Sequence, residues 1–188
     1  MKIREKFKKK NKVNVHLIHG ITGSGKTEVY MDLIDYTIKK GKSVIVLIPE
    51  IALTYQTVMR FTRRFKEKVS IINSRLSSGE RYDQFERAKN GDVTIMIGPR
   101  SALFTPFSNL GLIVIDEEHE SAYKSESVPK YHAIEVAQKR AYDTGATVVL
   151  GSATPSLESY YKAKNGTYIL HKLTTREKGN LPSVSIVD

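Results

Sequence analysis

The residues Gly20-Ile21-Thr22-Gly23-Ser24-Gly25-Lys26-Thr27 follow the spacing G-x-x-x-x-G-K-[ST]. Three glycines let a backbone fold closely around an anion with its N–H groups pointing inward, and the positive end of a following helix dipole favours the same negative charge. In that arrangement Lys26 reaches the β- and γ-phosphates of a nucleoside triphosphate and the Thr27 hydroxyl holds Mg²⁺. The other half of such a site is a buried strand ending in carboxylates. Leu112-Ile113-Val114-Ile115 followed by Asp116-Glu117-Glu118-His119 supplies it. Asp116 is the candidate Mg²⁺ ligand, direct or through water, and Glu117 the candidate base that orients the attacking water, because phosphoryl transfer needs mainly positioning and charge stabilisation. An acidic helix start would carry the same residue types without any chemistry, and it is the glycine-rich loop upstream that favours the catalytic reading. His119, directly after the acidic residues, is placed to link the nucleotide site to a neighbouring element.

Other chemistries find no support. The five histidines (His16, His19, His119, His132, His171) include no i, i+4 pair and the chain has no cysteine, so a zinc site is not expected. There is no G-x-S-x-G elbow for a hydrolase triad. A nucleotide kinase would need an arginine-rich lid and a transporter ATPase its Ser-Gly-Gly-Gln segment, and neither occurs.

Short apolar runs alternating with amphipathic stretches are expected to position these groups on βαβ units. Strands are predicted at Val13–Ile18, Ser43–Ile48, Val69–Asn73, Val93–Ile97, Leu110–Ile115, Thr147–Leu150 and Tyr168–Leu170. Helices are predicted over Lys26–Lys40, with Val29, Leu33 and Tyr36 inward, and over Leu53–Phe65, with Val58, Phe61 and Phe65 inward. Another is predicted over Tyr131–Tyr142, with Ile134, Ala137 and Ala141 inward, and shorter ones over Gly79–Lys89 and Ser156–Lys164. Runs apolar on both faces, such as 112–115, suit central parallel strands covered on each side. The fold class is α/β, a doubly wound and mostly parallel sheet.

The chain has 188 residues, enough for one domain, and 40% of them are hydrophobic. Its formal net charge of +10 points to polyanionic partners. The excess is concentrated, with Lys2, Arg4, Lys6, Lys8, Lys9, Lys10 and Lys12 against Glu5 in the first twelve residues. Residues 1–12 therefore read as a solvated basic tail. The apolar run after it is interrupted by Asn14 and His16 and lacks a small-residue cleavage site, and no run of about 18 apolar residues occurs. A cytoplasmic protein without membrane association is the expectation.

Five segments stand in the order of motifs I, Ia, Ib, II and III of superfamily 2 helicases: Gly20–Tyr30, Pro49–Thr54, Gly98–Phe104, Asp116–His119 and Gly151–Ser156. Their wording is narrower than the superfamily and resembles the first, RecA-like motor lobe of the replication-restart (PriA) helicases, from about Val15 to the end. The resemblance implies a DExH-type ATPase that uses ATP and Mg²⁺ to translocate on single-stranded DNA and to unwind forked DNA. It implies primosome and single-strand-binding proteins as partners, in a bacterial, nucleoid-associated setting. It makes Lys26 and Thr27 the phosphate and metal positions, Asp116 and Glu117 the metal and water positions, and Ser152-Ala153-Thr154 the coupling motif. The strand before Gly151 is then expected between the other two site strands, joining Ser152, Thr154 and His119 in a hydrogen-bonded relay.

Pro49, Thr54, Arg100 and Ser101 match elements that touch the DNA backbone, and such contacts suit a motor that must accept any sequence. Thr54 has an ordinary helix or packing role as its alternative, since Ser and Thr often bond to local backbone. The segment 121–132 resembles the family's aromatic-rich loop, in which Tyr123, Tyr131 and His132 could stack on bases or on one another, with a simple packed loop as the alternative. It reads Ala-Tyr-Lys-Ser where the family has Ser-Tyr-Lys-Gln. Asn73-Ser74 replaces the usual His-Ser, Pro99 replaces a small or hydroxyl residue, and no glutamine precedes Gln56 to read adenine.

Domain boundaries follow as a tail at 1–12, a RecA-like domain at 13–173 and a linker at 174–188 toward a second motor lobe. The chain reads as a shortened product, a remnant or an excised piece of a longer helicase. Alone it is expected to bind ATP–Mg²⁺ and DNA weakly without unwinding. The alternative is a vestigial DNA- or protein-binding fragment without turnover.

Overall fold

The computed structural model describes residues 14–175. The basic segment 1–12, Val13 and residues 176–188 of the expected linker lie outside the described residues.

Seven strands form one sheet: β1 (Val15–Gly20), β2 (Ser43–Leu47), β3 (Val69–Ile71), β4 (Ile95–Gly98), β5 (Leu110–Asp116), β6 (Thr147–Ser152) and β7 (Ile169–Leu173). Their order is β3-β4-β2-β5-β6-β1-β7, and every pairing is parallel. Parallel strands need crossovers, and five α-helices supply most of them: α1 (Lys26–Lys39), α2 (Tyr55–Phe65), α3 (Ser78–Asn90), α4 (Ala133–Thr144) and α5 (Leu157–Lys164).

The strands alternate their side chains between two cores, as a period of two demands. Val44, Val46, Leu112 and Val114 join Tyr30, Met31, Leu33 and Ile34 of α1 and Phe61 and Phe65 of α2 on one face. Ile45, Leu47, Ile113 and Ile115 join Ala88 of α3, Ala133, Ile134, Ala137 and Ala141 of α4, and Ala163 of α5 on the other. This is the doubly wound, RecA-like α/β architecture, with the sheet parallel throughout.

The main departures from the predicted elements lie at their ends. The second helix begins at Tyr55, not Leu53, because Thr54 turns extended and caps it, its hydroxyl accepting from Thr57 N. A separate turn of 3₁₀ helix covers Glu50–Ala52. The helix expected from Tyr131 starts at Ala133, where His132 Nδ1 accepts from Ile134 N. In α1 the inward face runs through Tyr30, Leu33, Ile34 and Thr37, displacing the predicted Val29 and Tyr36 to half-buried positions.

Topology places β6 between β5 and β1, so the loops after all three leave the same, carboxyl edge of the sheet side by side. In open parallel sheets that edge is where ligands bind.

Candidate nucleotide and nucleic-acid site

β1 ends at Gly20, and the chain turns tightly enough for Ser24 N to donate to the Ile21 carbonyl at 3.0 Å. Gly23 and Gly25 have φ of 78° and 82°, in the left-handed region where a Cβ would be strained. Gly25 is also the residue before α1, and it offers no side-chain cap. The first amides of α1 therefore face outward with the helix dipole behind them, which is the arrangement that receives phosphate. Ser24 Oγ is buried without a hydrogen-bond partner among the described residues. Ile21 is half-buried while Thr22 and Gly23 form the exposed rim, and Thr27 sits half-buried in the first helical turn.

Lys26 Nζ donates to the Gly20 carbonyl at 3.0 Å and lies 3.8 Å from Glu117 Oε1. The two sequence motifs thus converge on one ammonium group. Glu117 has φ 46°, an uncommon conformation for a residue with a side chain, and such strain concentrates at functional positions. The turn is held closed behind it, because Glu118 N donates to the Gly151 carbonyl at 3.0 Å.

Asp116 accepts a hydrogen bond from the Tyr30 hydroxyl at 3.0 Å. Tyr30 is 1% exposed, and its hydroxyl lies directly over Gly151 of β6. Burial and the neighbouring Glu117 carboxylate push Asp116 above the ordinary carboxylate range, against the Tyr30 hydrogen bond and Lys26. The folded chain then holds that proton more tightly than the unfolded chain, so ionised Asp116 lowers stability at neutral pH. The loss shrinks as pH falls through the raised folded pKa and is gone only below the unfolded value. Asp116→Asn, which keeps an acceptor for Tyr30, is expected to raise Tm at neutral pH and to give no advantage near pH about 4. Thermal melts across that range check this, and a variant less stable than the parent at neutral pH contradicts it.

His119 Nδ1 is hydrogen-bonded to Ser152 Oγ at 2.7 Å, and Ser152 Oγ accepts from Thr154 N at 2.9 Å. The same ring lies 3.7 Å from Glu117 Oε2. The expected chain from His119 through Ser152 to Thr154 is present, with Thr154 joining by its backbone, while Ala153 is half-buried between them. Glu118, given no role by the sequence reading, is 2% exposed and accepts from Ser156 N (2.7 Å), Ser156 Oγ (3.1 Å) and Ser159 Oγ (2.8 Å). It clamps the end of β5 to the start of α5. Tyr30 and Glu118 have no role in the sequence reading because their partners lie 86 and about 40 residues away.

Beyond β2 and β4 lies a second concavity of about 330 Å³, lined by Pro49, Glu50, Arg100, Ser101 and Tyr123 among others. Arg100 Nη1 donates to the carbonyls of Ala122 (3.0 Å) and Lys124 (2.7 Å), tying the motif Ib segment to the aromatic-rich loop. Four predicted DNA positions (Pro49, Arg100, Ser101, Tyr123) therefore share one cleft, while Thr54 is exposed on the cap of α2 beside it. The expected stacking of Tyr123 on bases is corrected. The residue is 1% exposed, and its hydroxyl donates to the Asp116 carbonyl at 2.6 Å, with the Leu47 carbonyl 3.1 Å away. Tyr131 packs edge-on against Phe104 with ring centroids 5.4 Å apart, and His132 caps α4, so neither stacks on the other or on Tyr123.

The glycine-rich Gly20–Thr27 loop, the strand-end Asp116-Glu117 pair and the Ser152-Ala153-Thr154 segment leaving β6 stand at one edge of a parallel sheet with the fold of a helicase lobe. A DEAD/DEAH box helicase family model matches residues 5–163, and the chain belongs to that family. Within it, the sequence is 53% identical over 175 residues to the replication restart protein PriA of Bacillus subtilis, covering 93% of this chain and 22% of that protein. It is 50% identical over 182 residues to PriA of Chlamydia pneumoniae, covering 96% and 24%. The chain thus spans about a quarter of the length of these relatives. Among solved structures it superposes on RecG bound to a three-way DNA junction with a TM-score of 0.65, at 22% identity over 92% of this chain and 22% of RecG. The Hef helicase domain of Pyrococcus furiosus gives 0.61, at 23% identity over 91% and 36%.

Proposed function

We propose that this chain is the ATP-binding lobe of a PriA-type DNA helicase, which in a complete protein acts with a second motor lobe in replication restart at stalled forks. The observation that carries the reading is the meeting of Lys26 and Glu117 at 3.8 Å in front of the uncapped start of α1. The residues fit ATP–Mg²⁺. The amides of 21–27 and Lys26 would take the β- and γ-phosphates, and Thr27 and Asp116 the metal, with Tyr30 orienting Asp116. When bound, Mg²⁺ neutralises charge developing on the phosphates. Glu117 orients and deprotonates water, and His119, fixed by Ser152, neighbours that carboxylate and links it to Thr154. The 330 Å³ cleft and the Thr54 cap are the face for single-stranded and forked DNA. Primosome and single-strand-binding proteins are the proposed partners in a cytoplasmic, nucleoid-associated setting.

A transition-state arginine from a second lobe is worth about 10³ to 10⁵ in rate. The chain by itself is therefore expected to bind ATP–Mg²⁺ and turn it over near background. Titration with a fluorescent ATP analogue should give saturable binding that Lys26→Ala weakens by more than about tenfold, since a charge-assisted contact to phosphate is lost. DNA-stimulated hydrolysis should appear on adding a PriA second lobe. Equal nucleotide binding by Lys26→Ala, with DNA binding retained, would replace this reading with that of a vestigial binding fragment.

A further inference from the structure

The cleft has a lining residue that lies outside all five helicase motifs. Arg81, in the first turn of α3, faces the space shared by Glu50, Ser74, Arg100 and Ser101. That turn is held rigidly by a reciprocal cap, with Ser77 Oγ accepting from Glu80 N while Glu80 Oε2 accepts from Ser77 N at 2.8 Å. Arg81 Nε is buried and has no hydrogen-bond partner among the described residues. Leaving a buried donor unpaired is costly, and Arg81 lines the cleft, from which an acceptor could reach its guanidinium group.

The charge around it is defined. Glu50 accepts from Ser74 N at 2.8 Å, and hydrogen bonds from Ser74, aided by Arg75 and Arg81, hold its carboxyl below the usual range. Glu50 therefore stays anionic and offsets one of the two guanidinium groups that line the cleft, which stays net positive with Arg75 close by. Arg100 spends only Nη1 on the carbonyls of 122 and 124. The remaining guanidinium N–H groups and the Ser101 hydroxyl make a donor-rich wall, the Ser74 hydroxyl being spent on Glu50. A monoanionic phosphodiester, which only accepts, matches that wall and that charge, whereas a dianionic terminal phosphate is opposed by Glu50. Tyr123, the aromatic residue of the lining, is buried and offers no face to a base.

We propose that Arg81 and Arg100, with Ser101, seat one phosphodiester of a nucleic-acid backbone, Arg81 being a grip supplied by α3 and not by any helicase motif. The inference rests on the reading that this face binds DNA.

The test is a titration of the 188-residue chain with fluorescein-labelled oligo-dT by anisotropy, between about 50 and 200 mM salt. Arg81→Ala is expected to weaken binding about tenfold at low salt and to reduce the log–log salt slope by about 0.7, the value for one single-strand phosphate contact. Arg81→Lys should keep the slope and recover part of the affinity, because charge remains while the planar fork is lost. Lys164→Ala, on α5 at the opposite edge of the sheet, should change neither. Unchanged affinity and slope in Arg81→Ala, alongside a loss in Arg100→Ala, overturns this inference and leaves the DNA-binding reading standing. No binding by the parent chain overturns both. A readout on the parent protein guards against a variant that does not fold. The Nε–H NMR signal of Arg81, identified by its loss in Arg81→Lys, should shift when oligo-dT is added, and a stationary signal is a second route to rejection. Inorganic phosphate should move that signal only far above oligonucleotide concentrations, and equally tight phosphate binding would reject a nucleic-acid ligand.

Discussion

Gly151→Ala is expected to cost about 3 kcal/mol or more, a fall in Tm of roughly 10 °C for a chain of this size. The new methyl carbon would lie 1.6 Å from the Tyr30 hydroxyl oxygen and 2.7 Å from Cζ. Tyr30 has little means of escape. Its ring is rigid, 1% exposed, and packed in the core between α1 and the sheet. Either β6 parts from α1 or the hydroxyl leaves Asp116, which would lose its donor at 3.0 Å. Overpacking in a well-filled core or loss of a hydrogen bond to a half-buried carboxylate is the cost either way. Tyr30→Leu in the Gly151→Ala background should restore part of the lost stability, a non-additivity that urea melts of the four proteins in the cycle would reveal. A Gly151→Ala protein that melts with the parent would show that the Tyr30 hydroxyl does not need this space.

Glu118→Ala should be nearly as damaging, about 2 to 4 kcal/mol, because it strands three donors at once. Ser156 N–H, Ser156 Oγ and Ser159 Oγ all converge on this carboxylate, and Ser159 is itself 3% exposed. Ser156 also caps α5, accepting from Ser159 N at 3.2 Å, so the helix loses its anchor as well as its neighbour. Hydrogen exchange of the amides at the start of α5 should accelerate selectively in the alanine variant. Glu118→Gln, which can still accept from Ser156 N and donate to a serine hydroxyl, should recover much of the loss. Equal damage from Gln and Ala would mean that the negative charge, and not the hydrogen bonds, holds the clamp.

These two positions also mark what local sequence could and could not say. The phosphate-binding loop was legible because its chemistry is contiguous, with glycines, lysine and threonine within eight residues. The strands were legible because burial on both faces leaves unbroken apolar runs such as 112–115. Asp116 and Glu117 followed from their place at the end of such a run. Periodicity does not say which strand lies beside which, and the position of β6 next to β1 and β5 was expected only through family resemblance. Tyr30 lies off the face that periodicity picks out through Val29, Leu33 and Tyr36, and its partner Asp116 is distant in sequence. Glu118 looked like one of several acids at a helix start. Tyr123 sits in a polar, loop-like stretch that suggested exposure, yet its ring fills a gap under β2 and β5. Long-range hydrogen bonds decided all three, and they leave no periodic trace.

Arg100 holds the carbonyls on either side of Tyr123, and Tyr123 in turn holds the carbonyl of Asp116. A polymer seated on Arg100 and a nucleotide seated at Asp116 would therefore act on one short stretch of backbone. Thermodynamic linkage makes the exchange symmetrical: whatever factor DNA applies to nucleotide affinity, nucleotide must apply to DNA affinity. With the proposed nucleotide and DNA sites both occupied, each ligand would then report on the other through this stretch of backbone, whatever the rate of turnover.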